Sequence, residues 1–382
     1  MEIKFGTILL LATVLPLCTV RGDAVEKCAQ IFDAEIRDGV VHGATVIAGG
    51  MEGNDIVASW GWADAKHTVP MTPRTVIDMA SVTKTAAGVT AYLIAHAHGK
   101  IDFNAPLTNV LNTYSAPLTR KITLRDLANH VSGFGEADGR APRVYFNSDA
   151  KKMLQNVLSL PPKNPKPGSV VYSCRNYILL GQAFEVIAGC RAADFCRREI
   201  FLPAGMNDTA LGAPPPTIKR ERLAQTFGTK KAGVISDYVA RPLWAADIST
   251  FNAGLFSTAE DMAKLMRIYL RGGVCGNGTR LFGADEMALI APSTTNRTDG
   301  ARSFGWQYAA EDLPETLAGT SLFHTGWSGQ TVLFDLKRSR FAVVLTTRCG
   351  DYKRAKRDRF AAIAALLDNT VERQPKKAKQ NE

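Results

Sequence analysis

The stretch Thr75-Val-Ile-Asp-Met-Ala-Ser81-Val-Thr-Lys84-Thr-Ala-Ala-Gly-Val-Thr-Ala-Tyr-Leu-Ile-Ala95 has a serine and a lysine three positions apart at the predicted start of a helix. That spacing sets both side chains on one face, so the ammonium of Lys84 can lie beside the hydroxyl of Ser81. A serine hydroxyl needs such a neighbour to become a good nucleophile, and a helix N-terminus adds N–H groups that favour negative charge. The residues after Lys84 are mostly apolar, which predicts a buried central helix. A buried lysine needs a partner or a function, so catalytic and structural interpretations both stay open here.

A second Ser-x-x-Lys match occurs at Ser148-Asp-Ala-Lys151. It opens a polar, amphipathic pattern, which is typical of a serine N-cap followed by a solvated lysine. The apolar surroundings of Ser81 therefore favour the first match as the candidate nucleophile with its activator.

The composition limits the possible functions. The chain has 382 residues, 46% of them hydrophobic and 21% charged, which allows one large globular domain or two closely packed ones. The net charge of +10 comes from scattered basic residues, and no basic stripe is interleaved with aromatic residues. Nucleic acid is therefore not expected as a partner.

Both ends of the chain differ from the rest. Residues 1–24 have a lysine, an apolar run and then small residues, which predicts a secretory signal peptide cleaved near Gly22 or Ala24. The mature protein is expected to be secreted or periplasmic. No later segment is long and apolar enough to predict a membrane helix. Residues 372–382 are rich in lysine and lack large apolar side chains, so we expect a disordered basic tail.

The cysteines do not predict a metal site. Six remain after the signal, and export would permit disulfides, but six cysteines allow fifteen full pairings among which the sequence cannot choose. There is no C-x-x-C pair, and His96-x-His98 is not a zinc pattern, so neither a metal nor a cofactor is expected. Three N-glycosylation sequons begin at Asn207, Asn277 and Asn296, and whether they are glycosylated stays open.

The hydrophobic pattern predicts helices and strands at the two ends of the chain. Helices are predicted at 25–38 and 354–368, and strands at 43–50, 55–62, 76–77, 304–308, 322–327, 331–335 and 341–347. From Pro106 to about Pro242 the pattern changes to short helices and turns.

These elements predict an α+β fold. One antiparallel sheet would be flanked by the N- and C-terminal helices, with an all-α domain inserted into it. We expect a domain over 25–371, in which residues 25–105 and 244–371 form the α/β lobe and about 106–243 form the helical insertion. The active site would then lie between the two lobes, where Ser81 is expected.

Two further segments bear on this site. Tyr172 precedes a predicted apolar helix from Ile178 to Ala188, so its phenol could point into a cleft. His130 ends a short predicted helix, where a lone histidine is more often a structural hydrogen-bonding residue. Near Ser257, a glycine turn is followed by a capping box, either Ser257 with Glu260 or Thr258 with Asp261.

Three separated motifs resemble the serine β-lactamase and penicillin-binding-protein superfamily, specifically its class C β-lactamase, esterase and DD-peptidase branch. They are Ser81-Val-Thr-Lys84, Tyr172-Ser-Cys174 and His324-Thr-Gly326, in the order that the superfamily uses. The likeness extends from about Gln30 to Leu367 and implies the β-lactamase/transpeptidase-like fold.

The resemblance also implies roles for the matching residues. Ser81 would attack a carbonyl and form an acyl-enzyme, with Lys84 acting either as a neutral base or as a stabilising cation. Tyr172 would be a general base, which requires adjacent positive charge to lower the pKa of its phenol. The N–H groups of Ser81 and Trp327 would form the oxyanion hole.

Two departures from the superfamily pattern affect substrate choice. Cys174 replaces an asparagine that holds the lysine and contacts a substrate amide. His324 replaces a lysine, and a histidine titrates near neutrality, so it would bind a substrate carboxylate less firmly; Thr325 and Gly326 line the same strand edge. Both changes argue against an efficient β-lactamase.

The sequence therefore predicts an exported serine hydrolase that acts on a small ester or amide through a Ser81 acyl-enzyme. Its activity would be of the esterase, peptidase or weak β-lactamase type, and a cell-wall peptide is a possible substrate. The alternative is a catalytically quiet module on the same fold that binds cell-wall peptides or penicillins.

Overall fold

The computed structural model describes residues 20–116, 121–134, 146–162, 169–292 and 300–368. The basic tail at 372–382 and the sequon at Asn296 lie outside these ranges. No helix within them combines the length and apolar character needed to cross a bilayer. All six cysteines in them are free thiols: Cys28, Cys174, Cys190, Cys196, Cys275 and Cys349.

The main sheet has seven antiparallel strands and confirms the predicted α+β class. Its spatial order is β2-β1-β10-β9-β8-β7-β6. The strands are β1 (Val41–Gly50), β2 (Gly53–Gly61), β6 (Arg302–Ser303), β7 (Trp306–Gln307), β8 (Ser321–Gly326), β9 (Gln330–Asp335) and β10 (Arg340–Arg348). The first and last long strands of the chain, β1 and β10, thus lie side by side within the sheet, with Val46 opposite Val344.

Alternating side chains of the central strands supply two hydrophobic cores, as a period of two requires. Val46 and Val344 pack with Phe32 of α1 (Val20–Arg37) and Phe360 of α11 (Tyr352–Asp368) on one face. Ile47 lies in the larger core on the opposite face, which includes the helix that follows Ser81. The predicted flanking of the sheet by both terminal helices is confirmed.

Helix α1 begins at Val20, inside the predicted signal peptide. Ala24 is fully buried in the core between α1 and the sheet. Cleavage after Gly22 or Ala24 would therefore cut within the first turns of this helix.

In the described part of the middle of the chain, the regular secondary structure is helical apart from the two-residue strand Ala210–Leu211, and turns connect its elements. Its helices are α3 (Leu107–Val110), α4 (Leu124–Ala128), α5 (Ala150–Ser159), α6 (Cys174–Ala188), α7 (Ala192–Cys196) and α8 (Ala240–Ala245). The chain then continues through α9 (Ala259–Leu270) and α10 (Ala284–Leu289). Thr258 caps α9 and accepts from the Asp261 N–H, so Thr258 rather than Ser257 is the N-cap. The Asp261 carboxylate accepts from the Asp208 N–H and the Thr209 hydroxyl, so only one half of the predicted capping box is seen.

Two strand predictions need adjustment. The predicted strand at 76–77 is β3 (Ile77–Asp78), and it pairs with β5 (Leu255–Ser257) in a separate three-stranded sheet completed by β4 (Ala210–Leu211). The predicted single strand at 304–308 is confirmed only in part, because β7 lies within it but its first two residues do not belong to a strand. Phe304 and Gly305 have positive φ angles of 41° and 88° and form a tight turn between β6 and β7. The alternation of apolar residues gave no sign of this turn.

Candidate active site

Ser81 lies where β3 runs into the central helix, as predicted. The helix begins irregularly, with a 3₁₀ turn (Ala80–Val82) and a π-helical turn (Lys84–Val89) before the regular α2 (Thr90–Ala97). Ala80 has a φ of 44°, a left-handed conformation that is strained for a residue with a Cβ atom. Ser81 itself is half-buried. Local strain beside a candidate nucleophile is typical of functional sites.

Lys84 is fully buried and directed at Ser81. Its Nζ donates to Ser81 Oγ at 3.0 Å and to the backbone oxygen of Asn252 at 2.7 Å. Burial alone would lower the pKa of this ammonium, but the adjoining Cys174 and Tyr172 favour the charged form and hold it above its ordinary value. Lys84 is therefore a cation in the resting site.

Tyr172 completes the group around the serine. Its hydroxyl donates to Ser81 Oγ at 2.8 Å, and the Lys84 Nζ lies 5.0 Å from its ring centroid. Tyr172 is 42% exposed as a whole residue, but its hydroxyl is directed at Ser81 Oγ. Burial raises the pKa of the phenol, and the Lys84 charge offsets this only in part. The expectation of a lowered phenol pKa is therefore wrong for the resting site.

The segment that carries Tyr172 is anchored to His130. The His130 Nδ1 accepts from the Ser173 N–H at 3.1 Å, and its ring lies 4.6 Å from that of Tyr172. The Ser173 hydroxyl caps α6 by accepting from the Arg175 N–H. His130 is buried and has its pKa far below the ordinary value, first because of burial. The interpretation of His130 as a structural hydrogen-bonding residue is confirmed.

Cys174 faces Lys84 where the superfamily pattern has asparagine. Its Sγ is 3.8 Å from the Lys84 Nζ, and burial raises the pKa of the thiol, so the group is neutral. Asn176, two residues after Cys174, does not replace the missing amide. Its side chain is fully buried, bonded to Ser132 at 2.6 Å and to His130 at 3.0 Å.

The end of β8 forms the opposite wall. A Cβ atom added at Gly326 would lie 2.9 Å from the Met79 carbonyl oxygen and 3.3 Å from the Ala80 Cβ, so this strand touches the residues just before Ser81. Trp327 follows and is 36% exposed. Its carbonyl oxygen accepts from Arg348 Nε at 2.6 Å, which fixes the orientation of that peptide. Thr325 is partly exposed on the same edge.

His324 is not the titrating group that the sequence suggested. It is only 2% exposed, and its Nε2 has no hydrogen-bond partner among the described residues. Burial, followed by the positive charges of Arg302 and Lys84, holds its pKa well below the ordinary value. His324 is therefore neutral near pH 7, and the expectation that it titrates there is corrected.

Sequence reasoning missed two residues at this site. The Asn252 carbonyl binds Lys84, and the Arg302 guanidinium lies 5.4 Å from the Tyr172 ring centroid and influences both buried histidines. The sequence predicts a glycine turn shortly before Ser257, but a backbone acceptor such as the Asn252 carbonyl leaves no mark in the side-chain pattern. Within the described residues, no group of three or more His, Cys, Asp or Glu side chains is placed to bind a metal.

The fold and the clustered motifs define a family of serine hydrolases, and comparison with known proteins agrees. The chain belongs to the beta-lactamase family, whose model matches residues 29–367. The resemblance stated from the three motifs is thereby confirmed, as is the assignment of the protein as a serine hydrolase of this family.

Individual relatives span the family's activities. A Salmonella heidelberg protein named "Putative D-alanyl-D-alanine carboxypeptidase" is 28% identical over 337 residues, covering 77% of this chain and 76% of its own. A penicillin-binding protein homolog from Caulobacter crescentus shares the fold with a TM-score of 0.69 at 20% identity, covering 90% of this chain and 98% of its own. A family VIII carboxylesterase has a TM-score of 0.66 at 22% identity, covering 91% of this chain and 97% of its own.

Proposed function

We propose that the protein is an exported serine hydrolase that cleaves small esters or amides through an acyl-enzyme on Ser81. One observation carries this proposal: Ser81 Oγ accepts hydrogen bonds from both Lys84 Nζ, at 3.0 Å, and the Tyr172 hydroxyl, at 2.8 Å. Two donors at one serine oxygen stabilise the negative charge that develops as this oxygen attacks a carbonyl.

The protonation states suggest how the proton moves. Because Lys84 is a cation and Tyr172 a neutral phenol, neither is a strong base at rest. Tyr172 can take the Ser81 proton as it passes its own proton to the leaving alkoxide or amine, so the phenol is neutral before and after the transfer. The Lys84 charge, 3.0 Å from Ser81 Oγ, stabilises the negative charge that develops on this oxygen meanwhile. Ser81 Oγ then forms the bond to the acyl carbon and the leaving group departs. A water molecule then attacks the acyl carbon, with the same proton transfers in the opposite direction. The bond from this carbon to Ser81 Oγ breaks, and the acid is released.

The rim of the site favours a substrate with an apolar part. Phe227 packs edge-on against Trp327 with ring centroids 4.9 Å apart, and the Arg348 guanidinium lies 3.8 Å from the Phe227 centroid. Together with the exposed ring of Tyr172, these side chains give both walls an aromatic surface. Neutral His324 and Cys174 provide no charge for a substrate carboxylate. The aromatic surface supports an ester or amide with an apolar group.

Two further parts of the proposal come from the sequence and the relatives. The predicted signal peptide supports export to the periplasm or outside the cell. The carboxypeptidase name of the Salmonella relative supports a cell-wall peptide as an amide substrate.

The test is intact mass spectrometry of the purified protein after exposure to an activated short-chain ester and, separately, to a reactive penicillin. Ser81→Ala is the control, because it keeps the fold and lacks the nucleophile. We expect a serine-dependent acyl adduct from the ester that decays within the turnover time, and a slower or longer-lived adduct from the penicillin. No adduct from either compound in folded protein would support the alternative, a binding module without catalysis.

A further inference from the structure

Asp78 is a buried carboxylate three residues before Ser81. It is 1% exposed, and its hydrogen-bond partners are all neutral donors. One oxygen accepts from the Ala80 N–H at 3.2 Å, and the other accepts from the Ser236 N–H at 2.8 Å and the Ser236 hydroxyl at 2.5 Å. A buried carboxylate without a cation is costly, so its presence beside the nucleophile calls for a function.

The contacts of Asp78 continue to the opposite wall of the site. The Ser236 Oγ lies 3.4 Å from the Ser328 Oγ, which donates to Gln330 Oε1 at 2.9 Å. Ser236 and Ser328 are both buried. Ser328 directly follows Trp327, just as Ala80 directly precedes Ser81. The network thus ends one residue from each of the two N–H groups that the oxyanion hole would need.

The contact with Ala80 bears directly on the geometry of the nucleophile. Ala80 is held at a φ of 44°, and the Asp78 carboxylate accepts from the N–H of this same residue. A left-handed alanine persists only when its surroundings hold it there. Relaxation of Ala80 would rotate the peptide that carries the Ser81 N–H.

We propose that Asp78 is a positioning residue for the oxyanion hole. It holds the Ser81 N–H in place through Ala80, and the Trp327 N–H in place through Ser236 and Ser328. The inference rests on the proposed acyl-transfer function. Burial raises the pKa of Asp78 to about 6, and the Asp237 carboxylate adds to the rise, so the group still carries its charge near pH 7. A charged acceptor binds N–H and O–H donors more strongly than a neutral one does.

The test uses Asp78→Asn, which keeps the size of the side chain but turns one acceptor into an NH₂ group facing an N–H or O–H donor. We expect acylation of Ser81 by an activated ester to slow by about 10- to 100-fold, with a smaller change in KM. The diagnostic readout is the rate ratio between this ester and its thiono analogue, in which sulfur replaces the carbonyl oxygen. A well-formed oxyanion hole favours oxygen, so the ratio should fall at least several-fold in Asp78→Asn.

Asp335→Asn is the matched control. Asp335 is also fully buried, but it lies at the far end of β9 and bonds to Thr320 and Arg338. This variant should lower Tm and leave the oxygen-to-sulfur ratio unchanged. Ser236→Ala removes one donor to Asp78 and should shift the ratio in the same direction as Asp78→Asn, which keeps the test decisive if Asp78→Asn does not fold.

The outcomes separate this inference from the proposed function. A folded Asp78→Asn or Ser236→Ala protein with the parental acylation rate and the parental ratio would overturn the inference while the function stands. If the parent itself forms no Ser81 adduct, the proposed function fails, and the positioning role fails with it.

Discussion

At the scale of single residues, the site consists of one serine oxygen between two donors that both hold their protons. Burial raises the pKa of the Tyr172 phenol and keeps it protonated, whereas Lys84 stays charged because its interactions with Cys174 and Tyr172 outweigh the effect of burial on its ammonium. In the proposed mechanism Tyr172 is a relay, so removing its hydroxyl should remove the path by which the serine proton leaves.

Tyr172→Phe should reduce the rate of Ser81 acylation by about 10²- to 10⁴-fold, the usual contribution of a general base. The Phe ring can keep its packing against His130, so the melting temperature should change little. Stopped-flow acylation with an activated ester measures the rate. Tyr114→Phe is the control, since the Tyr114 hydroxyl bonds to the Leu160 carbonyl and does not contact Ser81 or Lys84. Equal rates for Tyr172→Phe and the parent would exclude the relay.

His324 yields a prediction about pH. Its pKa is held well below the ordinary value, so it stays neutral as the pH rises through the usual histidine range. The pH dependence of acylation between about pH 6 and about pH 8 should therefore have the same shape in the parent and in His324→Gln. Steady-state profiles of both proteins provide the measurement. A change of the acylation rate with pH, centred near pH 6.5, that is present in the parent and lost in the variant would show that His324 titrates after all.

The three residues around the serine oxygen could be predicted from the sequence, but their charge states and the contributions of Asn252 and Arg302 could not. Ser81, Lys84 and Tyr172 lie in short local motifs, and the structure brings these motifs together. The state of His324 depends on burial and on Arg302, which the chain supplies from another strand. Such effects arise only from three-dimensional packing, so the pattern of residues could not reveal them.

At the scale of elements, the site depends on how closely β8 approaches the turn that precedes the nucleophile. Strands and helices with strong periodicity, such as β10 and α11, were predictable within a few residues. The β6–β7 turn and the irregular start of the central helix were not, because both rest on single residues with unusual backbone angles, Phe304 and Ala80. The close contact of β8 with Met79 is likewise a feature of packing alone.

Gly326→Ala should separate β8 from the nucleophile. An alanine Cβ would overlap the Gln330 Oε1 and lie 2.9 Å from the Met79 carbonyl oxygen, closer than real Cβ atoms approach. The Gln330 side chain can move away, but the contact with the Met79 backbone requires the strand or the turn to move as well. A shift of this kind displaces the Trp327 N–H from Ser81, and kcat/KM for the ester should fall by about 10-fold or more. Gly276→Ala is the control, because its Cβ would meet only Arg271 at 3.6 Å. Unchanged kinetics in Gly326→Ala would show that the contact has no part in positioning the oxyanion hole.

At the scale of the whole molecule, the two terminal helices close one face of the sheet around a buried acid and base. Glu35 of α1 and Arg359 of α11 are both fully buried. Neither Glu35 carboxylate oxygen, nor either terminal nitrogen of Arg359, has a hydrogen-bond partner among the described residues. Arg359 does donate through Nε to Thr331 at 2.9 Å. An acid in this position affects stability through its protonation rather than through its contacts.

The pH dependence of stability should reveal Glu35. Burial, with a further contribution from Asp358, raises the pKa of this carboxyl from 4.5 to about 7 in the folded protein. Between these values the unfolded chain loses its proton and the folded protein keeps it, so the unfolding free energy falls as pH rises, by about 3 kcal/mol in all. The Glu35→Gln variant has no carboxyl group at this position, so its unfolding free energy does not fall in this way. Relative to the parent, it should therefore gain about 3 kcal/mol between about pH 4.5 and about pH 8 in urea denaturation.

Glu26→Gln controls for the change in charge, because Glu26 is exposed on the same helix and its variant should follow the parent at both pH values. If the difference between Glu35→Gln and the parent were the same at both pH values, Glu35 would be ionised in the folded protein. Arg359 would then be its partner, since their Coulomb interaction lowers the pKa of Glu35. The packing of α1 and α11 would in that case rest on a buried ion pair, and Arg359→Met should destabilise the protein by about 3 kcal/mol or more, because it would leave a buried charge unpaired.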